Sequence, residues 1–298
     1  RSATFRVPSG LHLYGGFFGD EATLAERTAP AFNITNLSGA IGGSSQDDNS
    51  YTVMTLENAN SSTIVDGFSI SRGNNSVLGI DSNGGGVRII NSSPTFRNTK
   101  FLSNFAMVDG AGVYVQSGFP RFADCLFYNN STSLGAGGGL AVTGAGNVTV
   151  YNSQFVKNTA ASHGGAAQIY GGAKFANTIF DGNFAPTNGG AVNISATTDV
   201  REFNQCTFAG NAAGGLGGAI HQDFNAPTNI FNTIMYINSD VSGRSSVKGN
   251  TVNMTVSNSI AENLPAGVNG SNNSNDDPRF VDADGPNNTF GDFDNNFR

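Results

Sequence analysis

Residues 98–104 read Asn-Thr-Lys-Phe-Leu-Ser-Asn, and this phrase decides the fold because it recurs down the chain. Each copy has an Asn-like residue, a small residue, any residue, a large apolar residue, and Asn three positions later. Successive copies begin 25 to 28 residues apart, at positions 98, 124, 152, 177, 205 and 232. A fixed period of this size is typical of a solenoid, in which each repeat forms one coil.

A second phrase lies between these copies: a glycine-rich turn followed by apolar residues at alternate positions. Examples are residues 85–89 (Gly-Gly-Val-Arg-Ile) and 138–142 (Gly-Gly-Leu-Ala-Val). Alternating apolar residues are typical of a strand with one buried face. Because each repeat holds two or three such strands and no helical periodicity, the sequence predicts an all-β parallel β-helix of about nine or ten coils.

Equivalent residues of neighbouring coils should stack, because parallel strands lie roughly 4.8 Å apart. The predicted core stack comprises Phe101, Phe127, Phe155, Phe180 and Phe208, continued by Met235 and Ile260. The predicted structural ladder comprises Asn104, Asn130, Asn158, Asn183, Asn211 and Asn238, continued by Asn263. Asn can donate and accept hydrogen bonds at every turn, so we interpret these residues as structural rather than catalytic.

Composition excludes several classes of protein. Only 12% of the 298 residues are charged, the formal net charge is −7, and no basic stripe is present, so a nucleic-acid partner is not expected. No apolar run reaches the ~18 residues of a transmembrane segment, and no cofactor motif is present.

Cys125 and Cys206 share a column and lie three coils apart, so their separation should be about 14 Å, and we expect buried, reduced thiols rather than a disulfide.

The ends depart from the repeat. We expect one elongated domain with an irregular capping segment at residues 1–50, the β-helix at 51–265, and an irregular tail or coupling segment at 266–298. Residues 21–27 have helix-forming composition, with Asp20 as the expected N-cap. Asp282 and Asp284 lie in a sequence resembling a calcium loop, but the glycine is misplaced, so an acidic surface turn is the preferred interpretation.

The cover at the N-terminal end is slight and residues 266–298 show no recognisable cap, and uncovered strand edges pair with other chains. We therefore expect head-to-tail self-association, which could propagate into filaments. The contact candidates are Leu13, Phe17, Phe18, Phe280, Phe290, Phe293 and Phe297. The alternative, that the tail folds back and caps its own helix, is left equally open.

Outward strand positions offer little catalytic chemistry. The first predicted outward row comprises Arg88, Tyr114, Ala141, Gln168, Asn193 and His221, and the second comprises Lys100, Leu126, Gln154, Ile179, Thr207 and Ile234. Neither row holds a carboxylate, whereas a glycoside hydrolase needs two.

Three groups of residues are weak candidates for chemistry. His221 with Asp223 could form an acid–base pair, but a solvated surface pair is the preferred interpretation because no nucleophile or third partner is evident. His163 is interpreted as tolerated in a glycine turn. Asp199, Arg201 and Glu202 are interpreted as a solvated turn.

Two groups of known proteins resemble this chain. Residues 217–220 (Gly-Gly-Ala-Ile), with the Phe-x-x-Asn phrases, resemble the polymorphic outer-membrane-protein repeats of chlamydiae. Residues 13–27, 37–39, 66–68 and 277–282 resemble right-handed parallel β-helix proteins secreted to the surface by Bacteroidota. The resemblance implies a right-handed parallel β-helix. It does not fix the function, because this superfamily includes pectate-lyase-like enzymes, adhesins and structural proteins.

The sequence therefore predicts a non-enzymatic extracellular or cell-surface β-helix protein with a structural or adhesive role. Its expected partners are itself and cell-surface or matrix glycans or proteins. The alternative is a carbohydrate-active enzyme, a pectate-lyase-like polysaccharide lyase or hydrolase, which would show a cleft with two converging carboxylates. An ice-binding face would need a flat threonine array, which the outward rows do not supply.

Overall fold

The chain winds into a right-handed parallel β-solenoid, as predicted. The computed structural model describes residues 1–27, 35–43, 45–79, 82–195 and 198–280. Within these residues, three long sheets run along the solenoid, and each contains nine strands. Every coil contributes one strand to sheet A, the next to sheet B and the third to sheet C, and each strand pairs in parallel with its equivalents in adjacent coils.

Most strands are only two to five residues long. Sheet A comprises Phe5–Arg6, Met54–Glu57, Val87–Ile90, Val113–Val115, Leu140–Val142, Ala167–Ile169, Val192–Ile194, Ile220–Gln222 and Val247–Gly249. Sheet B comprises His12–Tyr14, Ile64–Asp66, Thr95–Arg97, Arg121–Ala123, Asn147–Tyr151, Gly172–Ala176, Arg201–Asn204, Thr228–Phe231 and Met254–Ser257. Sheet C comprises Thr35–Ser38, Phe68–Ser71, Lys100–Leu102, Leu126–Tyr128, Gln154–Val156, Ile179–Asp181, Thr207–Ala209, Ile234–Tyr236 and Ile260–Ala261.

Two small sheets follow sheet C at the next corner. One comprises Asn74–Asn75, Phe105–Ala106 and Ser131–Thr132. The other comprises Phe184–Ala185, Ala212–Ala213, Ser239–Asp240 and Gly243–Arg244, and its last two strands form an antiparallel hairpin. This hairpin interrupts the repeat in the last but one coil.

The regular repeat forms about seven turns, slightly fewer than the predicted nine or ten. These turns run from Val87 to Ala261. The two preceding turns carry strands in all three sheets but lack the glycine corner, and Leu37 and Ile70 occupy the position of the stacked phenylalanine. The phrase that decides the fold therefore repeats over a shorter length than the sheets themselves.

Left-handed backbone conformations set the corners of each coil. The residue before the small residue of the phrase has a positive φ in coil after coil, as at Asn98 (φ 45°), Asn152 (φ 51°) and Asn232 (φ 50°). The glycine three residues before the first strand residue of sheet A does the same, as at Gly137 (φ 66°). Asn and Gly adopt this conformation at low cost, which is why they mark the repeat.

Phenylalanines of sheet C stack inside the solenoid, each ring over the next. The centroid distances are 4.6 Å for Phe101–Phe127, 4.2 Å for Phe127–Phe155, 5.1 Å for Phe155–Phe180 and 4.4 Å for Phe180–Phe208. All five rings are fully buried. Met235 continues the column, but Ala261 occupies the next position, so Ile260 faces outward rather than inward as expected.

Asparagines form a buried hydrogen-bonded ladder from Asn104 to Asn238. Each Nδ2 donates to the Oδ1 of the next Asn at 2.8–3.0 Å and also to a main-chain carbonyl oxygen of the preceding coil. Each Oδ1 from Asn130 onward also accepts the backbone N–H of the preceding Asn. Asn263 does not join, because it is exposed and donates to the carbonyl of Arg244 in the hairpin.

The two cysteines lie in the column of small residues beside the phenylalanines. Both thiols are free and buried. Their Sγ atoms contact main-chain carbonyl oxygens, as Cys125 does with Ala123 at 3.3 Å. Burial raises the pKa of each thiol to about 12, so neither forms a thiolate at neutral pH.

The segment 1–50 is not the irregular cap that the sequence predicts, because residues 5–38 contribute one strand to each long sheet. The strands were missed because loops of unequal length separate them. Arg27 fastens this first turn to the second, with its guanidinium 2.8 Å from Asp66 Oδ1 and placed over the ring of Tyr14.

The expected helix at residues 21–27 is also shorter than predicted. Only a 3₁₀ turn, Leu24–Glu26, forms, and its N-cap is Thr23 rather than Asp20. Glu21 accepts hydrogen bonds from the backbone N–H groups of Phe18 and Gly19, so this carboxylate stabilises the preceding loop instead of continuing a helix.

The C-terminal segment covers part of the last coil. Val256 N–H donates to the carbonyl of Asn269 at 2.8 Å, and Ala261 N–H donates to that of Ser274 at 2.9 Å. Two parallel bridges, Thr255 with Asn269 and Ile260 with Ser274, continue sheets B and C. Residues 269–274 therefore pair with strand edges that the sequence analysis left uncovered.

Candidate functional site

Two neighbouring outward rows of sheet A bring together the richest set of polar side chains in the described residues. The first row is the predicted one, in which Gln168, Asn193 and His221 occupy equivalent positions of successive coils. The second row lies two residues further along each strand and includes Ser195 and Asp223. We call Gln168, Asn193, Ser195, His221 and Asp223 the polar cluster.

Short strands ending at equivalent positions place this cluster. Strands Ala167–Ile169, Val192–Ile194 and Ile220–Gln222 each turn their central side chain outward, because the flanking residues, all apolar except Gln222, are fully buried on the other face. The cluster is not solvated: Gln168 and Asn193 are fully buried and His221 is 5% exposed.

Asn193 lies at the centre of the cluster. Its Nδ2 is 3.1 Å from Gln168 Oε1, 2.9 Å from Ser195 Oγ and 3.0 Å from Asp223 Oδ2. Ser195 Oγ also donates to Asp223 Oδ2 and accepts a hydrogen bond from Gln168 Nε2 at 2.9 Å. An ionised carboxylate only accepts hydrogen bonds, so these contacts fix the Asn193 amide with Nδ2 toward Asp223.

The Asn193 orientation determines the tautomer of His221. With Nδ2 facing Asp223, Asn193 Oδ1 faces His221 Nδ1 at 2.9 Å and must accept its proton. Asp223 Oδ1 is also 3.2 Å from Nδ1. The neutral imidazole therefore carries its proton on Nδ1 and keeps a lone pair on Nε2.

Hydrogen bonding keeps Asp223 ionised. Burial alone would raise the pKa of this carboxyl, but hydrogen bonds from His221, Ser195 and Asn193 outweigh it and hold the pKa well below its ordinary value. Asp223 therefore cannot supply a proton at neutral pH. Its role within the cluster is to hold charge and to orient the imidazole.

Two interpretations from the sequence are corrected here. His221 and Asp223 do not form a solvated surface pair, since the imidazole side chain is only 7% exposed and the carboxylate 28%. They also do not lack a third partner, because Ser195 and Asn193 complete the network. The sequence analysis missed these partners because Ser195 and Asp223 lie just after their strands. They belong to the second outward row, which was not predicted to stack.

Comparison with known proteins places the fold in a family. The model for the right handed beta helix region matches residues 31–185, more than half of the chain.

The chain belongs to the right-handed β-helix family.

A second model, the Chlamydia polymorphic membrane protein repeat, matches residues 205–222 of this β-helix, which include His221. Together the matches fit a surface or autotransporter-like β-helix protein. No curated protein and no solved structure matches the chain.

Other residues singled out from the sequence lie apart from the polar cluster. His163 does more than occupy its turn, because its Nδ1 is 2.9 Å from Thr187 Oγ1 in the next coil. Arg201 is not in a solvated turn: it is fully buried in the β-helix, and its guanidinium donates to the carbonyls of Gly171 and Asp199. Glu202 lies on the outer face of sheet B, 3.9 Å from Lys174.

The end-to-end contact candidates are separated by the length of the β-helix. At the first turn, Leu13 packs against the core, Phe17 lies 5.9 Å from the Arg27 guanidinium, and Phe18 is 63% exposed. At the other end, Phe280 packs edge-on against Tyr236 of its own chain, with centroids 6.4 Å apart. The remaining candidates lie outside the described residues: Phe290, Phe293, Phe297, Asp282 and Asp284.

The described part of the β-helix holds no group of three His, Cys, Asp or Glu side chains placed to bind a metal ion. Across the same residues, no helix has both the length and the apolar character needed to cross a membrane.

Proposed function

We propose that this β-helix is a non-enzymatic extracellular or cell-surface protein with a structural and adhesive role, and that the polar cluster is a binding site rather than a catalytic one. The observation that carries the proposal is the state of Asp223. It is the only carboxylate in the cluster, and three hydrogen bonds keep it ionised. A glycoside hydrolase needs a second carboxyl group with a raised pKa to act as the acid.

The rigidity of the coil supports the structural part of this role. The buried Asn ladder and the stacked phenylalanines tie every regular turn to its neighbours. A solenoid built in this way holds its outward rows at a fixed spacing of roughly 4.8 Å, which suits repeated contacts with an extended partner. The surface location rests on the match to the chlamydial repeat.

The competing function is that of a carbohydrate-active enzyme, and the imidazole held by Asp223 favours it. An oriented His can act as a general base. The test incubates the protein with a panel of pectic, chitinous and glucan polysaccharides and measures new reducing and unsaturated ends. We expect no product. Product that disappears in His221→Gln and Asp223→Asn variants that are still folded at the assay temperature would refute the proposal.

The adhesive part is tested by binding. Labelled protein is applied to arrayed glycans and immobilised matrix proteins, with the thermally unfolded protein as control. We expect folded protein to be retained on at least one class of surface. Retention on none, or equal retention of the unfolded chain, would contradict an adhesive role.

We also propose head-to-tail association through the first turn. Its three strands each leave one edge unpaired among the described residues, and Phe5 and Phe18 are exposed beside them. A neighbour would meet residues 269–274 at the other end, since these pair with the last coil. Light scattering at increasing concentration should show oligomers that Phe18→Ser reduces and Phe119→Ser, equally exposed at 64%, leaves unchanged. A monomer at every concentration would exclude this contact.

A further inference from the structure

His221 Nε2 has no hydrogen-bond partner within the described part of the chain, and it is not among the buried atoms that lack one, so solvent reaches this nitrogen although only 7% of the side chain is exposed. Its other nitrogen, Nδ1, is held by Asn193 and Asp223. An acceptor atom that solvent reaches can bind either water or a hydroxyl group of a ligand. Nε2 therefore marks the open position of an otherwise closed network.

Gly249 keeps this position open. It follows Lys248 on the neighbouring strand and pairs with Gln222. A Cβ atom at residue 249 would lie 2.9 Å from His221 Nε2, so any side chain there would crowd the ring nitrogen. The backbone of the next coil thus passes beside Nε2 without covering it.

The strand position next to His221 in the following coil carries a cation that can donate hydrogen bonds. Lys248 is the strand partner of His221, one coil further along, and its ammonium has no hydrogen bond or ion pair within the described residues. Neutral Nε2 only accepts and an ammonium only donates. His221 Nε2 and the Lys248 ammonium together suit a ligand that donates a hydrogen bond through one atom and accepts a hydrogen bond through the neighbouring atom.

Two exposed aromatic side chains flank the polar cluster. Tyr170 belongs to the same outward row as Asp223, and it is 42% exposed. Burial raises the pKa of the Tyr170 hydroxyl, and the charges of Asp109 and Asp223 raise it further, so the ring lies within electrostatic reach of the cluster. Phe224 follows Asp223 directly and is 51% exposed. Exposed aromatic faces provide apolar contact for a bound ligand.

We propose that His221 Nε2 and Lys248 form the polar contacts of a binding site for a neutral sugar. One hydroxyl of a vicinal diol donates to Nε2, the adjacent oxygen accepts from the Lys248 ammonium, and the sugar ring contacts Tyr170 or Phe224. Asp223 and Asn193 are positioning residues, because they hold the imidazole with its lone pair outward. This assignment rests on the proposed binding role and names its ligand class.

The test follows the imidazole nitrogens by NMR. Protein labelled with ¹⁵N-histidine has three imidazole groups, and His221→Gln identifies the one at this site. Neutral gluco-, galacto- and chito-oligosaccharides are added at fixed neutral pH, and zinc chloride alone is a separate probe. We expect at least one oligosaccharide to shift the His221 Nε2 resonance and to leave the other two histidines unchanged.

Two variants separate binding from folding. Lys248→Met keeps the length of the side chain and should weaken sugar binding about tenfold, as expected for a lost charged hydrogen bond. Lys174→Met, on the exposed face of sheet B, is the matched control and should bind like the unchanged protein. Equal affinity in both variants would overturn the assignment.

The remaining outcomes of the NMR experiment also test the sugar assignment. If zinc shifts Nε2 and no oligosaccharide does, the position is a metal ligand and the sugar assignment is wrong. If no probe shifts Nε2, the site is not a sugar site. The broader proposal is scored separately, because retention on glycan or matrix surfaces that is unchanged by His221→Gln would keep the adhesive role and place it on another face.

Discussion

The Asn ladder inside the solenoid and the polar cluster outside sheet A use the same chemistry with opposite results. Inside, each Nδ2 reaches an Oδ1 of the next coil and a main-chain carbonyl, so the pattern closes on itself at every turn. Outside, the chain of contacts from Gln168 through Asn193 ends at His221, whose Nε2 has no partner among the described residues. A repeated polar network stabilises the fold, whereas one that stops leaves an acceptor atom without a partner in the chain.

The largest effect is expected from the core that the ladder encloses. Phe155→Ala removes a fully buried ring that stacks on Phe127 and Phe180, and we expect a loss of about 4 kcal/mol in the free energy of unfolding. Urea denaturation measures it. Phe119→Ala, at a ring that is 64% exposed, is the control and should change stability by less than about 0.5 kcal/mol. Equal losses would place Phe155 outside the core.

The comparison itself is tested by removing one Asn from each network. Asn158→Ala removes the acceptor of the Asn130 backbone N–H, one of the two acceptors of Asn130 Nδ2 and the side-chain donor to the carbonyl of Phe127, and we expect a loss of about 3 kcal/mol. Asn193→Ala should cost about 1 kcal/mol, because Ser195 and Asp223 keep each other as partners. The same denaturation experiment compares them. A larger loss for Asn193→Ala would reverse the roles assigned to the two networks.

Acid should act selectively on the outer cluster. The pKa of Asp223 is lower in the folded chain than its unfolded value of about 3.9, so its contribution to stability is complete above that pH and is lost as the pH falls toward the folded value. Asp223→Asn should therefore cost about 1 kcal/mol at pH 7, and the difference from the unchanged protein should shrink below about pH 4. Thermal melting across pH measures it; a pH-independent difference would contradict the ionised state.

The Asn ladder could be predicted from the sequence, whereas the polar cluster could not. Phe101 and Asn104 were identifiable because identical neighbours recur one period away, and stacking follows from the period alone. Ser195 and Asp223 were not recognised as partners, because the residue type of their row changes in every coil: Thr143, Tyr170, Ser195, Asp223 and Asn250. The strands at Phe5–Arg6 and His12–Tyr14 were missed for the related reason that their loops break the period.

The smallest effect on stability is expected at a corner of the coil where a β-branched residue has a positive φ. Ile237 precedes Asn238 of the ladder and has φ 56°, where the equivalent position elsewhere holds Ser103, Asn129, Lys157, Gly182 or Gly210. A β-branched residue is strained in this conformation. Ile237→Asn should raise stability by about 0.5–1 kcal/mol, and Asn129→Ile, the reverse change at an equivalent corner, should lower it by a similar amount. A loss of stability for Ile237→Asn would show that its side-chain packing outweighs the backbone strain.

The polar cluster differs from the Asn ladder in ending at an unpaired acceptor. This difference is tested most directly by determining which nitrogen of His221 carries the proton. Imidazole ¹⁵N chemical shifts at neutral pH, assigned with His221→Gln, report this without any ligand. The account predicts a protonated Nδ1, bound to Asn193 and Asp223, and an unprotonated Nε2 with the shift of a free acceptor. A proton on Nε2 with Nδ1 unprotonated would mean that the cluster is arranged differently and offers no acceptor to a ligand.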